Sequence, residues 1–162
     1  MEVRKSVLVP FASDRMFDLI EAAEHYPEFL PWCTGTRILE RSDSVVAAEI
    51  AVDYLGVRFR FTTRNPKRRP EWLAVALQSG PFRRFEGEWL LRSLAPAATK
   101  IEFSLRWEFG GGLANTLAGH VFARIANTYV DAFVVRAEST LGDAGGPCVP
   151  PAIRAGENIV RS

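Results

Sequence analysis

Cysteine is scarce. Cys33 and Cys148 are the only two in 162 residues, and two distant thiols make neither a disulfide framework nor a metal-ligand spacing. Cys33 reads as a small buried thiol and Cys148 as a thiol on a loose tail. Histidine is as rare: His25 and His120 stand far apart and form no zinc-ligand pattern, so no metal site is expected. Long apolar runs are missing too. No window approaches the ~18 residues of a membrane-spanning helix. The apolar stretch at the start runs for only about six residues before Asp14, which fits neither a signal nor a transit peptide. The expectation is a soluble, cytoplasmic protein. Charge of one sign is also lacking, with 20 Lys and Arg against 19 Asp and Glu. No global field draws this chain to nucleic acid or acidic lipid, so any such contact needs a local patch. Gly110-Gly111-Gly112 lacks the spacing and the downstream Lys of a phosphate loop. No Ser-His-Asp or Cys-His order can be assembled.

What the chain does have is alternation. Hydrophobic residues make up 48% and charged residues 24%, a globular balance at the length of one domain. Between Ile101 and Phe109 every odd position is large and apolar and every even one polar. Side chains of a strand alternate faces, so this segment buries one side and wets the other. The pattern recurs at Val57, Phe59 and Phe61, and at Phe85, Gly87, Trp89 and Leu91. Strands are predicted over 3–9, 36–41, 45–54, 57–65, 71–78, 83–92 and 99–109, with turn chemistry such as Ser79-Gly80-Pro81 between them. Short connections and one wet face argue an antiparallel sheet.

Two segments have helical period instead. One opens at Ser13, a plausible cap, and runs to Glu21. The other carries Leu117, Val121, Phe122, Ile125, Tyr129 and Phe133 on one stripe and ends at Gly142. At nearly thirty residues it would be about 40 Å long. Gly119 interrupts it at a cost on the order of 1 kcal/mol. A sheet with one apolar face and a helix with one apolar stripe must cover each other. The inward row of Phe59, Phe61, Trp89, Phe103, Trp107 and Phe109 is bulky enough either to fill the space between them or to wall a hollow.

The segment Tyr26-Pro27-Glu28-Phe29-Leu30-Pro31-Trp32-Cys33 resembles the signature of the coenzyme Q-binding, START-like proteins of the polyketide cyclase/dehydrase superfamily. So do Gly80-Pro81-Phe82 with the later Gly87-Glu88-Trp89, the strand ending Trp107-Glu108-Phe109, and Phe133-Val134-Val135-Arg136-Ala137. The resemblance covers about 3–141. It implies an α+β helix-grip fold: a curved antiparallel sheet around a long C-terminal helix, with two short helices after the first strand. The domain would span 1–141, and 142–162, rich in Gly and Pro, would be a flexible tail. It also implies a deep apolar cavity that binds ubiquinone or a related polyprenyl lipid, as a carrier or chaperone supporting respiration and not as an enzyme. Phe29, Leu30 and Trp32 would form its rim, with peripheral contact to the inner membrane. Phe59, Phe61, Leu77, Phe82, Trp89, Phe103 and Trp107 would be walls from the sheet, and Phe122, Ile125, Tyr129 and Phe133 walls from the helix. Tyr129, the indoles of Trp89 and Trp107, and Arg136 are the candidate donors to a quinone carbonyl.

Relatives of the group include a ribosome-associating toxin that blocks joining of the subunits, and polyketide cyclases. For the first, Arg64, Lys67, Arg68 and Arg69 are the candidate contact to the large subunit; the last three sit in a turn and are expected to be free. Arg58, Arg60 and Arg64 are alternatively expected to pair with Glu49 and Asp53 on the neighbouring strand. For a cyclase, Asp14, Glu24 and Glu28 are the carboxylates near the cavity mouth.

Overall fold

The computed structural model describes residues 1–111 and 117–142, and the backbone of 159–161. Strand β1 (Glu2–Val9) leads into helix α1 (Ser13–Glu21) and a 3-10 helix (Ala23–Glu28). Six strands follow: β2 (Cys33–Arg41), β3 (Val45–Tyr54), β4 (Val57–Arg68), β5 (Trp72–Ser79), β6 (Phe82–Ala95) and β7 (Ala98–Phe109). Helix α2 (Ala118–Thr140) comes next and a three-residue strand, β8 (Ile159–Arg161), last. The strands form one antiparallel sheet in the order β2-β3-β4-β5-β6-β7-β1-β8. This is the expected helix-grip arrangement. All seven predicted strands are present, and β1, β7 and the first part of β4 bury alternate residues as a period of two requires.

The differences have local causes. Ala12, not Ser13, holds the cap position of α1, and no side chain caps the helix. Helix α2 has 23 residues, about 35 Å at the usual rise, and is shorter than its periodicity suggests. Strand β4 runs to Arg68, past Pro66, so Lys67 and Arg68 lie in a strand and not in a turn. β8 pairs with β1, Lys5 opposite Val160, in a segment whose sequence carries no period because three residues are too few to show one. The rest of the predicted tail, 143–158 and Ser162, lies outside the described residues.

Helix and sheet meet over one continuous core. Trp89 pairs across strands with Phe103, their centroids 4.5 Å apart. A one-residue shift in the β6–β7 register between Phe82 and Arg84 brings Phe82 onto the same face as Phe85. Gly87 is required on β6: a Cβ there would stand 2.2 Å from the Ser104 carbonyl oxygen. Lys5 also points inward. Its side chain is buried, donates to the Asn127 carbonyl and pairs with Asp131 at 3.3 Å, tying β1 to α2.

Candidate functional site

The core has a dense half and a hollow half. In the dense half, Phe59, Phe61, Phe82, Phe85, Phe109 and Phe122 interlock. Phe82 and Phe109 stack at 4.5 Å, and Phe59 meets Phe109 edge-on at 5.4 Å. Trp107 packs on Phe122 at 5.2 Å, and its indole Nε1 is buried with no hydrogen-bond partner among the described residues.

The hollow half lies between α1, the 3-10 helix, the inner face of the sheet and the middle of α2. Its cavity measures about 70 Å³ and is bounded mostly by apolar side chains, among them Ile20, Val46, Ile50, Leu73, Phe103 and Ile125. Tyr129 stands in its wall within a ring of aromatics: Trp89 at 5.7 Å, Phe103 at 5.5 Å, Trp32 at 6.0 Å and Tyr26 at 6.4 Å. Tyr26 donates to the Ile20 carbonyl, which fixes the 3-10 helix on α1. Burial pushes both phenols above their ordinary range, so both hold their protons at neutral pH.

One edge of the hollow is polar. The inner row of β4 reads Val57, Phe59, Phe61, then Thr63, Asn65 and Lys67. Thr63 and Asn65 line the cavity, as does Glu21 at the end of α1. Lys67, its side chain 6% exposed, pairs with Glu21, which also lies 3.7 Å from Arg41. Beside these residues the β4–β5 pairing lapses. Thr63 opposes Leu77 and Lys67 opposes Leu73, but the stretch between is bridged by Asn65 Oδ1 accepting from the Ala76 N–H at 3.0 Å. Asn65, Val75, Glu21 and Tyr129 are the half-buried members of the wall, through which the hollow nears the surface.

The Pro27–Pro31 segment closes the adjoining end. Phe29 packs on Phe133 at 5.1 Å, and the Arg136 guanidinium lies 5.2 Å over its ring. Arg136 also pairs with Glu28 at 2.8 Å, and His25 meets the same carboxylate at 2.6 Å. Hydrogen bonds from His25 and Arg136 hold Glu28 below its ordinary pKa.

Six residues expected in the cavity wall line it, Phe61, Trp89, Phe103, Phe122, Ile125 and Tyr129, and Trp32, expected at the rim, lines it too. The others pack elsewhere. Phe59, Phe82 and Trp107 belong to the dense half, Leu30 is fully buried, Phe29 and Phe133 close the end beneath Arg136, and Leu77 lies partly buried against the core. Arg136, a candidate donor, is engaged by Glu28 and Phe29. The expectation of a free basic turn does not hold. Lys67 points inward because it continues the odd-numbered row of β4. Arg69 forms two bonds to Asp18, at 2.8 and 3.0 Å, and Arg64 two to Glu40. Arg68 is the most exposed of the four, 5.7 Å over Trp72 and 4.0 Å from Glu71, while Arg64 and Arg69 keep about half of their side chains in solvent. Arg58 and Arg60 pair with Asp53 and Glu49 as expected, whereas Arg64 chooses Glu40 on β2. Of the carboxylates considered, Asp14, Glu24 and Glu28 stay outside the cavity wall, and Glu21 takes a place in it. Sequence reasoning missed Glu21, Thr63, Asn65 and Lys5. The available signal was the unbroken odd-position row of β4 through Lys67 and of β1 through Lys5.

Comparison with known proteins agrees with this architecture. Residues 9–134 match the family described as polyketide cyclase / dehydrase and lipid transport, and the chain belongs to that family. The ribosome association toxin RatA of Pseudomonas aeruginosa is 37% identical over 140 residues, covering 86% of this chain and 97% of that one. A mitochondrial coenzyme Q-binding protein of Xenopus laevis, COQ10 homolog B, is 25% identical over 146 residues, covering 88% of this chain and 60% of that one. The Zhui aromatase/cyclase from Streptomyces sp. R1128 superposes with a TM-score of 0.75 at 19% identity, over 91% of this chain and 99% of that one; at that identity the likeness is one of fold.

Proposed function

We propose that this member of the polyketide cyclase/dehydrase and lipid transport family works by binding and not by turnover, and that its hollow receives the ring of a quinone-type lipid. The observation that carries this reading is Tyr129: a protonated phenol set in the wall of an apolar hollow and ringed by aromatic side chains. A quinone has apolar faces to bury and carbonyl oxygens to accept a hydrogen bond. Each buried methylene of its tail adds about 0.8 kcal/mol. The likeness to a coenzyme Q-binding protein supports the same ligand class. At about 70 Å³ the resting hollow is less than half of the ~150 Å³ that admits benzene in an engineered apolar cavity. Binding therefore widens it, with the 3-10 helix and α2 parting around the ring. In a titration with a short-tailed ubiquinone analogue, quenching of Trp32 and Trp89 should saturate. Tyr129→Phe should weaken binding by about fivefold, the loss of one hydrogen bond. No saturable quenching, together with no lipid in a solvent extract of the purified protein, would remove the reading.

A second reading, association with the large ribosomal subunit, is favoured by the RatA likeness, which spans nearly the whole of that toxin. Lys67 is buried against Glu21 and Arg69 is paired with Asp18, so Arg68, with only a 4.0 Å contact to Glu71, is the most exposed cation of that segment. The protein should co-sediment with large subunits, and less so for Arg68→Glu or in raised salt. Absent or salt-insensitive co-sedimentation would count against this reading.

A further inference from the structure

Thr63 is the anomaly of the cavity wall. It is 3% exposed and lines the hollow, yet its hydroxyl makes no side-chain hydrogen bond among the described residues. A hydroxyl in an apolar wall normally finds a partner; this one is not sealed in, as the Trp107 indole N–H is, but opens onto the hollow, where a ligand can meet it. Valine would fill the same volume with no hydroxyl to satisfy. Its neighbours on the inner row are polar as well: Asn65, whose Oδ1 is taken by Ala76, and Lys67, taken by Glu21. The apolar rings of Phe61, Trp89 and Phe103 line the rest of the same cavity.

We propose that Thr63 and Asn65, backed by the Glu21–Lys67 pair, form a head-group site for an amphiphile with a neutral hydroxyl or carbonyl oxygen. The Thr63 hydroxyl both donates and accepts, and the Asn65 amide still has its N–H donors, so either kind of oxygen is served. Charge argues for a neutral head. Lys67 is already matched by Glu21, and Arg41, which also nears Glu21, is matched by Glu24 at 2.7 Å, so among the described residues no cation here is left uncompensated for an anionic head. The apolar body of the ligand then lies against the rings, and its polar end faces the lapse between β4 and β5, where the hollow nears solvent. This rests on the reading that the hollow takes a hydrophobic ligand, and adds which end of the ligand goes where.

Three probes of one shape test it: naphthalene, 2-naphthol and 2-naphthoate, titrated against the full chain by calorimetry or tryptophan quenching. The wild type should bind 2-naphthol about fivefold more tightly than naphthalene, the ordinary net value of one hydrogen bond. It should bind 2-naphthoate no better than naphthalene. Thr63→Val should bring the naphthol-to-naphthalene ratio to one or below, and Thr63→Ser, which keeps the hydroxyl, should restore it. Equal binding of naphthol and naphthalene by the wild type, an unchanged ratio in Thr63→Val, or a preference for the carboxylate would each overturn the head-group site while leaving the hollow a ligand site. Binding of none of the three would overturn both.

Discussion

A thiol's surroundings decide its chemistry, and Cys33 shows how far. It lies at the start of β2, 5% exposed, and burial pushes its pKa from 9.0 up to about 11, outweighing an opposing contribution from the Gly35 backbone. Only the thiolate attacks. A rise of two units leaves about a hundredth of the ordinary thiolate at pH 8. In a Cys148→Ser background, Cys33 should react with a disulfide reagent at least about a hundredfold more slowly in the native protein than in urea. Equal rates would contradict the burial. The sequence already marked Cys33 as a buried thiol, since two distant cysteines make neither a disulfide framework nor a metal-ligand spacing. It gave no hint that Trp32 turns into the hollow while Leu30 packs away from it; that depends on the path of a proline-bounded loop, which has no period to read.

At the level of elements, the Pro27–Pro31 segment is fastened to α2 mainly through Glu28, Arg136 and Phe29. Glu28 is exposed, and its pKa in the fold is lowered by His25 and Arg136. A carboxylate with a depressed folded pKa contributes stability above its unfolded value of 4.5 and loses it as pH falls through the lower folded value. The fastening should therefore loosen below about pH 4.5, seen as a change in tryptophan emission, since Trp32 follows directly in the chain. Glu28→Gln, which mimics the protonated carboxyl, should flatten that acid limb and show the emission of the loosened state at neutral pH as well. An identical acid limb in the variant would assign the effect to another carboxylate. Strand identity was legible here and strand length was not. Reading Pro66 to Pro70 as a turn cut β4 at 65, although β4 holds its inner row through Lys67. That one misjudgement made Lys67 look like a surface cation and hid that it continues the row of Thr63 and Asn65.

For the molecule as a whole, Phe122 joins the two halves of the core. It touches Phe59, Phe82, Phe85, Trp107 and Phe109 on one side and lines the hollow on the other. Phe122→Ala should cost about 3–5 kcal/mol, because the rigid rings around it cannot close the gap. For a chain of this length that lowers the melting temperature by roughly 10 °C. A shift of only a degree or two would mean that the rings collapse into the space. Antiparallel order, the long helix and the aromatic inner face were all readable, since period two and period 3.6 leave their marks in the chain. Whether the aromatics fill the interior or wall a space was not, since packing depends on rotamers and on the one-residue shift at Phe82.

The uneven interior has a mechanical side. Interlocked rings resist compression, whereas an unfilled volume is what hydrostatic pressure removes first. Squeezed, this molecule should yield from the Tyr129 side, with water forced in between α2 and the sheet before the phenylalanine block parts. A guest molecule already seated there would leave pressure little to gain, so the compressed protein would hold its shape to higher loads with its guest than without it.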